Sequence, residues 1–190
     1  MTEPVRCSWC LNDPLNIRYH DEQWCVPNRD DRDLFEAFSL EIMEAGLNWL
    51  MILRKRENFR AAFANFDPQT VATFDEAKVE ELMQNEGIVR YRRKLEGIIH
   101  NARMILEVQA EHGSFANFVW SFVDDTPIVH EFASYDDVPD ESPEAKALSK
   151  ALKAKGFQFA GPGVCYAFMQ AIGMVNDHLT SCYRHPLNAG

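Results

Sequence analysis

Residues 40–49, LEIMEAGLNW, carry an acid where a helix would bury it. Leu34, Phe38, Glu41 and Ala45 fall on one stripe at helical spacing, so Glu41 shares an otherwise apolar face. An ionised carboxylate is expensive there unless a partner or a ligand needs it. Gly46 breaks the helix, and Trp49 follows within a turn. A buried acid, a sharp turn and a large flat ring so close together describe a site for a flat, hydrogen-bonding ligand. A core glutamate paired with an arginine accounts for the same residues.

Metal-ligating side chains sit at the two ends of the chain. Cys7 and His20 lie near the start, His178 and Cys182 near the finish. The last pair is spaced i, i+4 and on a helix would share one face. Two thiolates and two imidazoles suit tetrahedral Zn²⁺, and a closed four-ligand site would clip the termini together rather than activate water. Cys10, Cys25 and Cys165 are rival ligands, Cys7-x₂-Cys10 having zinc-finger spacing. Buried free thiols and surface histidines explain the same residues.

The elements that must position these groups read as helices. One is expected over residues 31–45, a second over 48–63 with Asn48 as N-cap, and a short one opened by Asp67-Pro68. Asp75 caps another that stops at Gly87, and a long helix covers about 90–111. Ser114 caps an aromatic helix, and Ser142-Pro143 opens one that stops at Gly156. Gly161-Pro162-Gly163 opens a last long helix running towards His178. Residues 1–30 and 124–141 read as irregular, and no alternating strand is evident.

With 190 residues, 46% of them hydrophobic, the chain makes one domain or two small lobes sharing a core. No apolar run reaches membrane length and MTEPVRCSW has no signal-peptide core, so cytoplasm is the expected compartment, with no membrane partner. Five cysteines, an odd number, argue against a disulfide scaffold. A net charge of −10 argues against tight non-specific DNA binding by the whole surface. Local basic groups remain: Arg54-Lys55-Arg56, then Arg90, Arg92, Arg93 and Lys94, then Lys146, Lys150, Lys153 and Lys155, each a binding patch or a solvated helix face.

In order along the chain stand Cys7-x-Trp9, Asp13-Pro14-Leu15, Tyr19-His20-Asp21-Glu22 and Trp24, then Leu40-Glu41, Ala45-Gly46-Leu47-x-Trp49 and Lys55-Arg56-Glu57-Asn58. Residues 85–94, FVWSFV at 118–123, LSKALKAKG at 148–156 and Phe159 follow. Cys165-Tyr166-x-Phe168-Met169-Gln170-Ala171 and Val175-Asn176-Asp177-His178 complete the series. Together they resemble the DNA-3-methyladenine glycosylase I family over essentially the whole chain. The resemblance implies an all-α, helix-hairpin-helix DNA glycosylase fold with a zinc site joining segments 1–30 and 174–190. Residues 1–190 would then be a single glycosylase domain of two small helical lobes, expected to be a monomer. The implied activity is base-excision repair: hydrolysis of the N-glycosidic bond of 3-methyladenine in alkylated double-stranded DNA, releasing the free base.

Residue by residue, the resemblance implies Cys7, His20, His178 and Cys182 as zinc ligands, while Cys10 matches none. It implies Glu41 as the acid that hydrogen-bonds the flipped base, Trp49 as the stacking ring, and Tyr19 and Trp9 as pocket walls. A second pocket tyrosine of the family falls on Asn16, which removes aromatic surface. Cys25 and Ile42 fall where glycine is common. Trp24 and Trp120 are expected in the core. The family is understood to lack the aspartate that other helix-hairpin-helix glycosylases place after the hairpin. No lysine has an evident depressed-pKa setting, so no Schiff-base lyase step is expected. Gly87-Ile88-Val89 resembles the hairpin turn, whose backbone N–H groups hold a phosphate, with Arg90 and Lys94 adding charge and Gly46-Leu47 acting as an apolar wedge. A non-catalytic damaged-base binder is the alternative and would release no base. A zinc-clipped interaction module would bind no methylpurine.

Overall fold

Short polar side chains decide where the helices begin. In the computed structural model, which describes residues 3–188, seven of them accept a hydrogen bond from a first-turn N–H. Asp13 opens α1 (Pro14–Glu22), Asp30 opens α2 (Asp31–Glu44) and Asn48 opens α3 (Trp49–Arg54). After α4 (Arg56–Ala62), Asp67 opens α5 (Pro68–Val71) and Asp75 opens α6 (Glu76–Gln84). The long α7 (Arg92–His112) is followed by α8 (Phe115–Trp120), capped by Ser114. Ser142 caps α9 (Pro143–Ala154), and α10 (Pro162–Ala171) comes last.

Several expected elements are redrawn. The N-terminal segment read as irregular contains α1, because Asp13 caps it and Pro14 pre-sets its first turn. The single helix expected over 48–63 is two, separated at Lys55, which caps the end of one and the start of the other. α6 stops at Gln84, before Gly87, which lies in a separate turn closed by Ile88 N to Asn85 O. α10 ends at Ala171 rather than running to His178. Gly173, at φ +73°, then turns the chain into β2 (Val175–Asn176), which pairs in parallel with β1 (Ile128–Val129) inside a stretch read as strandless.

Apolar side chains gather in two clusters. The larger is built on α2, α7, α9 and α10, with Phe38 and Phe168 edge-to-face at 5.3 Å and Trp120 fully buried, its indole N–H donated to Asn28 O at 2.9 Å. The smaller holds Cys7, Tyr19, Trp24, Cys25, Leu53, Leu179 and Cys182, and Trp49 packs against both. Among the described residues no helix is long and apolar enough to cross a membrane.

Gly173 shows how tightly the C-terminal segment is docked. A Cβ there would lie 2.4 Å from both Pro27 N and Val26 C, at a φ that L side chains avoid. Gly173→Ala is expected to destabilise the protein by about 3 kcal/mol or more, lowering Tm by roughly 6–12 °C in thermal unfolding followed by circular dichroism.

Candidate active site and metal centre

α2 carries two buried glutamates with opposite surroundings. Glu36, 1% exposed, is ringed by three guanidinium groups: Arg32 at 3.2 Å, Arg60 at 2.8 Å, and Arg56. The arginine pairing considered for Glu41 therefore belongs to Glu36. Glu41, one and a half turns on, is 7% exposed, and its carboxyl accepts no hydrogen bond from any described protein group. Burial, with a smaller push from Glu44, raises its carboxyl pKa to about 8. Ala45, expected on the same buried stripe, is exposed because α2 ends at Glu44.

Glu41 lines a cavity of about 170 Å³. Its walls are mostly aromatic: Trp9, Tyr19, Trp24, Trp49 and Tyr135, joined by Glu44 and by Ala167 and Gln170 of α10. Tyr19 and Trp49 stand 4.9 Å apart, Trp9 and Trp24 5.1 Å apart edge-to-face. The indole nitrogens of Trp9 and Trp49 are buried with no protein partner. Trp24 is buried in the smaller core cluster, as expected, and also lines this cavity. Glu44, Tyr135, Ala167 and Gln170 were not read from the sequence as site residues. A signal existed for Gln170, which lies in the segment of residues 165–171 quoted above, but Tyr135 sits in an irregular stretch that offers none.

Three positions that bear on the pocket's shape lie outside its wall. Asn16 is buried with its amide donating to Asn12 Oδ1 at 2.8 Å, so it does not face the cavity. Ile42 points into the large core cluster. Cys25 has φ +61°, which explains why glycine suits the position, and its sulfur accepts from Asp177 N at 3.4 Å. A larger cavity, about 290 Å³, lies behind Tyr19 and Trp49, but its arginines are committed to Glu36. The uncompensated acid belongs to the smaller cavity.

The four expected metal ligands converge. The nearest ligand atoms of Cys7, His20, His178 and Cys182 lie within 4.8 Å of one another, all buried. His178 Nδ1 is 3.2 Å from His20 Nε2, 3.7 Å from Cys182 Sγ and 3.8 Å from Cys7 Sγ, and Cys182 Sγ is 3.5 Å from His20 Nε2. A tetrahedron with metal–sulfur bonds of about 2.3 Å and metal–nitrogen bonds of about 2.0–2.1 Å has edges of roughly 3.3–3.8 Å, so the set has the dimensions of a metal cage. Each imidazole offers its outer nitrogen to an acceptor and turns the other inward: His20 Nδ1 to Asp21 Oδ1 at 2.8 Å, His178 Nε2 to Trp24 O at 3.3 Å. Leu179 N and Arg184 N donate to the two sulfurs. His178 and Cys182 meet on consecutive turns of a loop, closed by Cys182 N to Leu179 O at 2.7 Å, not on a helical face as their spacing suggested. Cys10 faces away, its thiol donating to Cys7 O, and Cys25 and Cys165 are buried elsewhere.

The groups expected to meet nucleic acid divide. Gly46, at φ +81°, turns the chain after α2 and leaves Leu47 45% exposed. In the turn before α7, Lys55 Nζ and Asn58 Nδ2 donate to Gly87 O, Gly87 N and Ile88 N donate to Asn85, and Ile88 is 3% exposed. Arg90 and Arg93 are exposed, and Arg92 is held by Glu76 and Glu80. Lys94 is not a free phosphate binder: its ammonium donates to Met43 O at 3.2 Å and Ala45 O at 2.7 Å, pinning the turn that carries Leu47. Burial lowers its pKa, so one lysine does have a depressed setting, but the group is committed to these carbonyls and is not a cavity wall.

A helical scaffold that encloses an unpaired acid in an aromatic box, with an exposed apolar tip beside it, defines a reader of flat, hydrogen-bonding bases. The chain belongs to the methyladenine glycosylase family, whose model matches residues 9–185. It is 48% identical, over 96% of its length and 98% of the relative's, to a protein of Escherichia coli strain K12 named DNA-3-methyladenine glycosylase 1. A crystal structure of a 3-methyladenine DNA glycosylase I is 52% identical with a TM-score of 0.93, covering 96% of this chain and 100% of that one. A tyrosine-to-phenylalanine variant of such an enzyme, solved in complex with 3-methyladenine, is 36% identical with a TM-score of 0.92, covering 95% of this chain and 97% of its own.

Proposed function

We propose that this protein hydrolyses the N-glycosidic bond of 3-methyladenine in alkylated double-stranded DNA, acting on a nucleotide rotated out of the helix. The observation that carries this reading is Glu41, a buried carboxyl with no protein partner inside an aromatic box. Its relatives are named for this activity, and one is solved with the base bound. The target bond is unreachable within the stacked duplex, so the base must be extruded. Trp49 stacks on it and Tyr19 forms the adjoining wall, while Glu41 accepts hydrogen bonds from its edge. Alkylation leaves the adenine cationic, which gains about 0.5–2 kcal/mol over an aromatic face and makes it a good leaving group. The residues then have to select and orient the base and tolerate positive charge growing on the sugar, and strong acid catalysis is not required. Because Lys94 is bound to two carbonyls, water and not a lysine takes the sugar, and no lyase step follows.

Zn²⁺ is the metal whose donor preferences this closed Cys₂His₂ cage meets, and its role is structural, clipping residues 1–30 to 174–190 within one monomeric domain of two lobes. Trp9 forms the wall beside Cys7. The turn of Gly87 and Ile88, whose N–H groups both donate to Asn85, sets the approach of the DNA and Arg90 nearby supplies charge, and chromosomal DNA puts the work in the cytoplasm. Leu47, on its Gly46 turn, fills the space vacated by the flipped nucleotide. Leu47→Ala should slow release from duplex DNA about tenfold while leaving affinity for free 3-methyladenine unchanged; equal losses in both would remove the wedge role. Product analysis tests the main reading: methylated DNA incubated with the protein should yield free 3-methyladenine, and binding without release would overturn it.

A further inference from the structure

α10 packs on α2 and places Gln170 in the cavity that Glu41 lines. The Gln170 side chain is not free to choose its orientation. Its Nε2 donates to Asp177 Oδ2 at 2.7 Å, and the Tyr166 hydroxyl donates to the same oxygen at 2.6 Å. His130 Nδ1 donates to Asp177 Oδ1 at 2.6 Å. Asp177 is fully buried, and three donors converge on it, so the Gln170 amide must present its nitrogen there and its carbonyl oxygen elsewhere. No protein donor reaches Gln170 Oε1 among the described residues. The main chain is fixed as well, Gln170 O accepting from Cys25 N at 2.9 Å and Gly173 N at 3.2 Å.

We propose that Gln170 is the residue that selects a purine with a 6-amino group over one with a 6-oxo group. Its Oε1, held as an acceptor by Asp177, takes a hydrogen bond from the exocyclic amine and opposes a carbonyl at the same place. Asp177 is a positioning residue here and does not touch the base. Glu41 cannot make this distinction alone, because a carboxyl accepts when ionised and donates when protonated, and so can meet either edge. A locked amide oxygen has no such second form. A buried polar group that loses its partner discriminates far more strongly than apolar fit does. The inference rests on the proposed excision of 3-methyladenine.

The test uses methylated DNA carrying both 3-methyladenine and 3-methylguanine, with the released bases separated by chromatography. Gln170→Met and Gln170→Ala should lower 3-methyladenine release about tenfold and raise the ratio of 3-methylguanine to 3-methyladenine about tenfold or more. Thermal unfolding and metal content would confirm that each variant is folded. An unchanged ratio in a folded variant overturns the assignment of Gln170. If neither variant folds, wild-type protein titrated by tryptophan fluorescence decides: 3-methyladenine should bind about tenfold or more tighter than 3-methylhypoxanthine, and equal binding overturns the proposal. A wild-type protein that releases no 3-methyladenine sinks the excision reading and this inference together, whereas release with an unchanged ratio sinks this inference alone.

Discussion

Glu41→Gln should lower release of 3-methyladenine from methylated DNA by about 10²–10³-fold and at the same time make the protein more stable at alkaline pH. The two effects share one cause. The carboxyl is buried without a protein partner, and its pKa stands at about 8 against an ordinary 4.5. An acid whose folded pKa is raised adds stability below its unfolded pKa and loses it as pH climbs to the folded one. The wild type should therefore weaken between about pH 4.5 and 8, by an upper limit of about 5 kcal/mol. Glutamine has the same shape and no proton to lose. The Tm values of the two proteins should be similar near pH 5 and diverge towards pH 8, with the variant higher. Catalysis shows the reverse dependence, because a cationic base needs the ionised acid. Wild-type kcat/KM should rise with pH towards an apparent pKa near 8, and the variant should lack that limb. Wild-type release by the variant, or no gain in Tm at pH 8, would refute the assignment of Glu41.

Removing the metal should unfold the pocket before the main core. The four ligands join chain segments that are distant in sequence, and three walls of the cavity hang from them. Trp9 follows Cys7, Tyr19 precedes His20, and Trp24 O holds the outer nitrogen of His178. The Trp24 ring also packs 4.8 Å from the His178 ring. If the cage holds the proposed metal, a strong chelator, or Cys182→Ser, should lower Tm by about 10 °C or more, equivalent to several kcal/mol for a chain of this length. Affinity for free 3-methyladenine should fall at least tenfold, with a change in tryptophan emission, while helical circular dichroism from α2, α7, α9 and α10 is largely kept at low temperature. Cys10→Ser should keep the metal, since that thiol points at Cys7 O. A chelated protein that binds the base normally would show the cage to be a bystander. Loss of metal in Cys10→Ser would show the ligand set to be wrong.

Local chemistry is what a sequence states most directly, and here it determined a good deal. Asp67, Asp75, Ser114 and Ser142 cap helices at the positions their types predict, because a cap needs only its own side chain and the next turn. Periodicity placed Leu34, Phe38 and Glu41 on a buried face for the same reason. The order of motifs along the chain was enough to assign the family that the whole-chain match then showed. Partners across space were another matter. Glu36 and Glu41 lie on one helix, and nothing local says that the guanidinium groups of α4 reach Glu36 and leave Glu41 bare. The candidate ligands near the two ends have rivals in the sequence because Cys7-to-His20 spacing carries no local signature, and His178 and Cys182 meet through a loop and not a helix turn. Lys94 reads as a free charge until the end of α2 is seen against it. Trp24 is in the core as expected but also lines the cavity, and Gln170 and Tyr135 join that lining from distant parts of the chain. The sequence by itself determined which side chains are available and which helix faces are buried, since both depend on neighbours a turn away. Only the tertiary structure decided which acid lacks a cation, which amide is locked and which four side chains could cage a metal, because each depends on atoms brought together from distant parts of the chain.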